Sequence, residues 1–190
     1  LARKSAQQGM RLALVDFNAD ALADTTKALG KEFPDLSPPL AVVANVADQK
    51  QMDTLGESVR AHFGSAPHYV VNNAGVAHGG LVWENTMEEW DWLLGVNLMG
   101  VIHGIRVFTP MMLAAARSDA AFRGRIINTS SMAGMVSIPL SGMYNVSKHA
   151  VVTLTETLYQ DLSLVTDQVS ASVLCPFFVP TGIATSQRPV

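Results

Sequence analysis

Tyr144 and Lys148 stand four residues apart in the segment Tyr144-Asn145-Val146-Ser147-Lys148. On a helix that spacing places both side chains on one face. A free tyrosine has a pKa of about 10, poorly matched to acid–base work at neutral pH. An ammonium beside it stabilises the phenolate and makes the pair a usable general acid and base. The same spacing equally fits a half-buried tyrosine with a solvated lysine. Two more residues bear on the choice. Ser131 lies at the end of an apolar run, Arg125 to Thr129. A hydroxyl there can hydrogen-bond a carbonyl and stabilise the negative charge that develops on its oxygen, although a strand-end serine also forms turns. Asn97 is a polar residue inside an apolar helical stretch, Val96-Asn97-Leu98-Met99-Gly100. Its amide can bond local backbone at a junction between two helices.

Positioning these groups requires a scaffold, and strand and helix signals alternate along the chain. Arg11 to Phe17, Leu40 to Val46, His68 to Val71, Arg125 to Thr129 and Val169 to Leu174 are short apolar runs. Continuous rather than alternating apolarity is what parallel strands covered on both faces require. Between them lie helical patterns: Asn18 or Asp20 to Gly30, where glycine stops the helix, and Asp48 to Gly64, with Met52, Leu55, Val59 and Phe63 at helical spacing. Thr86-Met87-Glu88-Glu89 has the spacing of a capping box and opens a helix to about Val96. Further helices are predicted from about Leu98 to Ala116 and from Tyr144 to Leu164, and a short one from Leu1 to Gln8. The fold class that follows is α/β, a doubly wound parallel sheet of Rossmann-like type. In such folds ligands sit beyond the carboxyl ends of the strands, where Ser131 lies.

Composition removes several classes. The chain has 190 residues, suited to one domain, and 48% are hydrophobic. Charged residues are 15%, with 13 basic against 16 acidic and a net charge of −3. No block of Lys or Arg occurs, which argues against nucleic acid or an anionic membrane as partner. The single cysteine, Cys175, excludes an intramolecular disulfide and a zinc site built on several cysteines, and no metal site is expected. No apolar run approaches a membrane span in this reading, and no signal-peptide pattern opens the chain. A soluble, cytoplasmic protein is the expectation.

The motifs Asn72-Asn73-Ala74-Gly75, Asn97 before Leu98-Met99-Gly100, Ile127 to Gly134 with the Ser130-Ser131 pair, and Tyr144 to Lys148 occur in one order. In that order and spacing, with Pro176 to Thr181 after the fifth strand, the chain resembles the classical short-chain dehydrogenase/reductase family over nearly its whole length. The resemblance implies an NAD(P)-dependent oxidoreductase that interconverts an alcohol and a carbonyl by hydride transfer. It implies Tyr144 as the proton donor or acceptor at the substrate oxygen. Lys148 assists the tyrosine and bonds the nicotinamide ribose, Ser131 polarises the carbonyl, and Asn97 holds a water in a relay toward Lys148. Asp16 falls where an acidic side chain bonds the adenosine ribose, and it is followed by Phe17 rather than Arg. Repulsion of a 2′-phosphate there favours NAD over NADP. Asn45 and Val46 match the adenine position, Asn73, Ala74 and Gly75 the middle of the cofactor, and Pro176, Val179 and Thr181 the nicotinamide carboxamide region.

The family pattern is not complete. Its glycine-rich turn would lie about 20 residues before Asp16, ahead of Leu1. Residues 1–190 are therefore expected to form one incomplete Rossmann-like domain, lacking the first strand and the C-terminal part. The strands ending at Asp16 and Asn72 would then not pair directly with each other. Phe177 stands where glycine is usual after Pro176, where it narrows the pocket, shifts the nicotinamide or is neutral. Met132, Pro139, Met143, Phe177, Phe178 and His78 are candidate pocket residues, mostly apolar, while Trp83, Trp90 and Trp92 are expected to anchor a helix and the loop leading into it. Val101, Ile102, Ile105, Val107, Phe108, Met111, Met112 and Leu113 nearly encircle one helix, more than one sheet face can bury. The resemblance implies a homodimer or homotetramer paired through that helix and the Tyr144 helix. The partner chemistry is a small alcohol or ketone. The rival reading is a non-catalytic nucleotide-binding or merely dimerising relative, which the intact Asn97, Ser131, Tyr144 and Lys148 oppose.

Overall fold

In a computed structural model, which describes residues 1–179 and 182–186, strands and helices alternate as predicted. The order is α1 (Ala2–Gln7), β1 (Ala13–Asp16), α2 (Ala19–Glu32), β2 (Leu40–Val43), α3 (Gln49–Phe63), β3 (Tyr69–Asn72), α4 (Met87–Leu94), α5 (Gly100–Ser118), β4 (Gly124–Thr129), α6 (Gly142–Val165) and β5 (Val169–Leu174). All strand pairs are parallel. The architecture is the doubly wound α/β class expected, and the chain divides into two compact units, Leu1–Gly64 and Ser65–Val190.

In the first unit β1 pairs with β2, from Ala13 opposite Leu40 to Asp16 opposite Val43. The Asn18 side chain accepts the Ala21 amide at 3.0 Å and starts α2. Asp48 accepts the Lys50 and Gln51 amides and starts α3, which Gly64 closes at φ 65°. Leu22, Leu29, Met52, Leu55 and Val59 form the buried faces. Gly30 does not stop α2. The helix continues to Glu32 and ends at Phe33, because Pro34 excludes the helical conformation from the residue before it.

In the second unit the order is β3-β4-β5, with Tyr69 opposite Arg125 and Gly124 opposite Val169. α5 packs on β3 and β4, and α6 on β5. Ile126, Val169 and Ala171 fill the interior. The expectation of strands buried on both faces holds least for β1 to β3, where Val43, Tyr69 and Val71 remain exposed. β3 is the edge of its sheet, and β1 and β2 form a two-stranded ribbon, so fewer neighbours cover them. β1 and β3 belong to different sheets.

Two helices were predicted to meet at Asn97. Instead α4 passes into α5 through a π-helical turn, Gly95–Met99, giving one continuous helical run from Met87 to Ser118. Gly95 and Gly100 adopt right-handed helical angles, so the junction expected at Asn97 is a helical turn. By length and composition this run could cross a membrane, which corrects the expectation that no apolar stretch approaches a span. It buries Asn97 and His103 and packs on the sheet.

Candidate active site

The end of β4 and the start of α6 carry the predicted chemistry. Tyr144 lies half-buried in the first turn of α6. One turn on, Lys148 is only 2% exposed. Its Nζ lies 5.5 Å from the centre of the Tyr144 ring and donates to the Thr129 carbonyl at 3.1 Å. The solvated-lysine alternative is thus not what the fold builds. Burial pushes the Lys148 ammonium down to about 8, with Cys175 acting in the opposite direction. Ser131 follows β4 and caps a short 3-10 turn, Met132–Gly134, accepting the Ala133 amide at 3.1 Å. The hydroxyl proton is left free to donate elsewhere.

Asn97 is fully buried in the π-turn. Turns of this type recur at functional sites. Its partner is not local backbone but the loop after β3. Asn97 Oδ1 accepts the Val76 amide at 2.8 Å, and its Nδ2 donates to the Val76 carbonyl at 2.9 Å and to Ser147 Oγ at 3.2 Å. Ser147, also fully buried, donates to the Tyr144 carbonyl at 2.8 Å. One amide therefore ties the β3 loop to the turn that carries Tyr144. Gly75 sits beside both groups. A Cβ there would lie 3.4 Å from Asn97 Oδ1 and 3.4 Å from Lys148 Nζ.

Several residues that hold this cluster were not singled out from the sequence. Ser130 Oγ donates to the Lys148 carbonyl at 2.8 Å. Gly134 leaves room for that contact, since a Cβ there would lie 2.7 Å from the same carbonyl and collide with Ser130 Oγ. Behind it runs an amide chain. Asn72 Nδ2 donates to Asn128 Oδ1 at 2.8 Å, and Asn128 Nδ2 donates to Thr155 Oγ1 at 2.9 Å. The Asn72 side chain occupies space that only a glycine at 104 leaves open. The signal available was a polar residue at an inward strand position: Asn128 in Ile127-Asn128-Thr129.

Three loops surround Ser131 and Tyr144. The Gly80 amide donates to the Leu140 carbonyl at 2.9 Å, and Gly80 bridges Ser141. Gly142 faces the Val82 side chain. Leu140 has φ 59°, the one non-glycine with positive φ among the described residues, a conformation that surrounding structure must enforce. The Met132 amide donates to the Pro176 carbonyl at 2.9 Å. His78 Nε2 meets Glu89 Oε1 at 3.1 Å, and Glu89 also completes the capping box with Thr86. The hydrogen bond from the Thr86 amide, with His78 adding to it, holds the Glu89 carboxyl below its ordinary value. Among the tryptophans, Trp83 anchors nothing, for it is 76% exposed. Met143 is buried and belongs to the packing beneath the loops.

The residues matched to a cofactor divide between the units. In the first, Asp16 and Phe17 are exposed at the end of β1, and Asp16 Oδ1 accepts the Asn18 amide at 2.9 Å. Asn45 and Val46 follow β2, with Asn45 Oδ1 accepting the Ala47 amide at 3.0 Å. In the second, Asn73, Ala74 and Gly75 follow β3, and Asn73 Oδ1 accepts from Thr129 Oγ1 at 3.2 Å. Pro176 and Val179 follow β5, and Thr181 lies outside the described residues. These groups suit a nicotinamide cofactor in one testable respect. An ammonium has three donors, and Lys148 gives one to Thr129 beside a Gly75 backbone bare of side chain. Donors and space for a ribose remain there.

Comparison with known proteins shows the family. The family model described as short chain dehydrogenase matches residues 1–189, and the chain belongs to that family. A short chain dehydrogenase/reductase from Burkholderia phymatum, solved in complex with NAD, superposes with a TM-score of 0.90 at 44% identity, covering 97% of this chain and 62% of that one. The 15-hydroxyprostaglandin dehydrogenase [NAD(+)] of Mus musculus is 34% identical over 178 residues, 94% of this chain and 61% of that protein. The CLA biosynthesis dehydrogenase/reductase of Lactiplantibacillus plantarum is 30% identical over 183 residues, 96% of this chain and 61% of that protein. The chain thus spans about three fifths of the length of these relatives.

Proposed function

We propose that this chain carries the reaction centre of an NAD(P)-dependent oxidoreductase that interconverts an alcohol and a carbonyl compound of moderate apolarity. One observation carries the reading: a buried ammonium, Lys148 Nζ, 5.5 Å from the Tyr144 ring. Burying a charge without a task is costly, and stabilising a phenolate is the task this placement serves. In alcohol oxidation the substrate hydroxyl gives its proton to Tyr144 Oη, and in carbonyl reduction Tyr144 returns it. Ser131 Oγ donates to the substrate oxygen as charge develops there. Lys148 supports the phenolate and bonds the nicotinamide ribose. Asn97 holds the Val76 loop and, through Ser147, the Tyr144 turn in register, and in this reading it would hold a water of a relay toward Lys148. When bound, the nicotinamide takes up or returns the hydride of the carbinol carbon.

Asn73, Ala74, Gly75, Pro176, Val179 and Thr181 would hold the middle and the nicotinamide end of the cofactor, Asn45 and Val46 its adenine, and Asp16 its adenosine ribose. NAD is favoured over NADP because the Asp16 carboxylate repels a 2′-phosphate and Phe17 offers no cation in exchange. The Burkholderia neighbour's bound NAD supports this choice. A homodimer or homotetramer formed through α5 and α6 accompanies the reading, supported by Tyr159 and Leu164, apolar and exposed on α6.

The test is turnover of secondary alcohols by the full-length protein with NAD and with NADP, beside Tyr144→Phe. Turnover is expected with NAD ahead of NADP, and the variant is expected to lose roughly 10² to 10⁴ in rate. A variant within tenfold of the parent removes Tyr144 from the chemistry.

A further inference from the structure

The loops around Ser131 and Tyr144 share an unusual composition. None of residues 76–83, 132–143 and 175–179 is Asp, Glu, Lys or Arg, in a chain that is 15% charged. Their large apolar side chains face solvent: Trp83 is 76% exposed, Phe177 and Phe178 each 75%, and Met135 63%. The imidazole among them, His78, is engaged with Glu89. The loops are also tied to one another at the cluster. Gly80 bonds Leu140, Val82 meets Gly142 two residues before Tyr144, and Met132, next to Ser131, bonds Pro176. The apolar strips are therefore continuous with the reacting groups. Exposed apolar side chains on loops tied together beside reacting groups suit a binding site.

We propose that this mouth takes a neutral, apolar substrate body, and that Trp83, Met135, Phe177 and Phe178 set specificity for it. The proposal rests on the oxidoreductase reading and narrows it: hydrocarbon or an unsubstituted ring flanks the reacting carbon, and phosphorylated, polyhydroxylated or carboxylate-bearing bodies are excluded. An anionic body laid on these apolar side chains would meet no Lys or Arg of the loops to replace the water it gives up. Each methylene laid on them gains transfer free energy.

The experiment uses the full-length protein with NAD and methyl carbinols lengthening from butan-2-ol to octan-2-ol, beside 7-hydroxyoctanoate. Binding of octan-2-one and 7-oxooctanoate is followed in parallel by tryptophan fluorescence. kcat/KM is expected to rise by up to about fourfold per added methylene, and the carboxylate compounds to fall at least about tenfold behind their neutral counterparts. Trp83→Ser combined with Met135→Ser, at two exposed positions, is expected to flatten the chain-length slope. A flat slope in the parent, or equal acceptance of the carboxylate, overturns the proposal. So does a mouth covered by a second copy, seen as a dimer that the double variant dissociates while the slope stays flat. Octan-2-one binding ahead of 7-oxooctanoate, without turnover of any alcohol, upholds the mouth and removes the oxidoreductase reading instead.

Discussion

Within the second unit, the floor of the site and its mouth invert the usual distribution of residues. The floor is polar and buried: Asn97, Asn128, Ser130, Ser147, Lys148 and Thr155 are each at most 2% exposed. The mouth a few residues away is apolar and open. Folding alone favours neither, since buried polar groups need partners and exposed apolar ones gain nothing from water. The floor meets its cost by pairing, as in the chain from Asn72 through Asn128 to Thr155. In the mouth Trp83, Met135, Phe177 and Phe178 stay exposed among the described residues. The difference teaches that the floor is built for position and the mouth for a ligand, and that the two should respond to mutation in opposite ways.

Lys148→Met gives the largest expected effect. Turnover falls by roughly 10² to 10⁴, while chemical denaturation finds stability unchanged or raised, because a buried charge is gone. The pH dependence follows with a definite sign. Lys148 titrates near 8 in the folded chain and at about 10.4 when unfolded. Below 8 both forms are protonated and the full desolvation cost is present. Between these values the unfolded chain binds more protons, so stability rises with pH, by about 3 kcal/mol in all. Lys148→Met should lack that rise. A parent curve that falls over this window contradicts the buried ammonium.

Breaking the amide chain comes next. Asn128→Leu strands the Asn72 amide, while the Thr155 hydroxyl keeps its bond to the Val151 carbonyl, and a loss of about 1–3 kcal/mol is expected. An unfolding midpoint equal to the parent's would show that the chain contributes nothing. Gly134→Ala forces a methyl against Ser130 and the Lys148 carbonyl. A loss of about 1–3 kcal/mol is expected, with turnover reduced beyond what the lost stability explains. Trp83→Ser gives the smallest change, within about 0.5 kcal/mol of the parent; a larger loss in thermal unfolding would mean that the mouth packs as core.

What the sequence disclosed divides along the same line. Tyr144, Lys148, Ser131 and Asn97 were singled out through the order and spacing of motifs that resemble the family, since the i, i+4 offset and the polar interruptions alone left other readings open. The alternation of parallel strands and helices was legible from period alone. Ser130, Ser147 and Thr155 were not, because their roles depend on contacts that periodicity does not encode: Ser130 reaches a carbonyl eighteen residues on, and Thr155 an amide twenty-seven residues back. The continuity through Gly95–Met99 was hidden because Asn97 interrupts the apolar pattern and reads as a junction, whereas its side chain bonds Val76 and the backbone stays helical. Trp83 looked like an anchor because a tryptophan usually finds a core, and nothing local says that its loop faces outward.

The central claim is that the Tyr144 cluster moves a proton while hydride passes between substrate and nicotinamide. A secondary alcohol carrying deuterium on its carbinol carbon tests it most directly, mixed in single turnover with the full-length protein and NAD, beside Tyr144→Phe. The account predicts deuterium in the reduced nicotinamide from the parent. The variant, binding NAD comparably, should transfer it roughly 10² to 10⁴ more slowly. Transfer by Tyr144→Phe at the parent's rate, or label released to solvent instead of the cofactor, would contradict it.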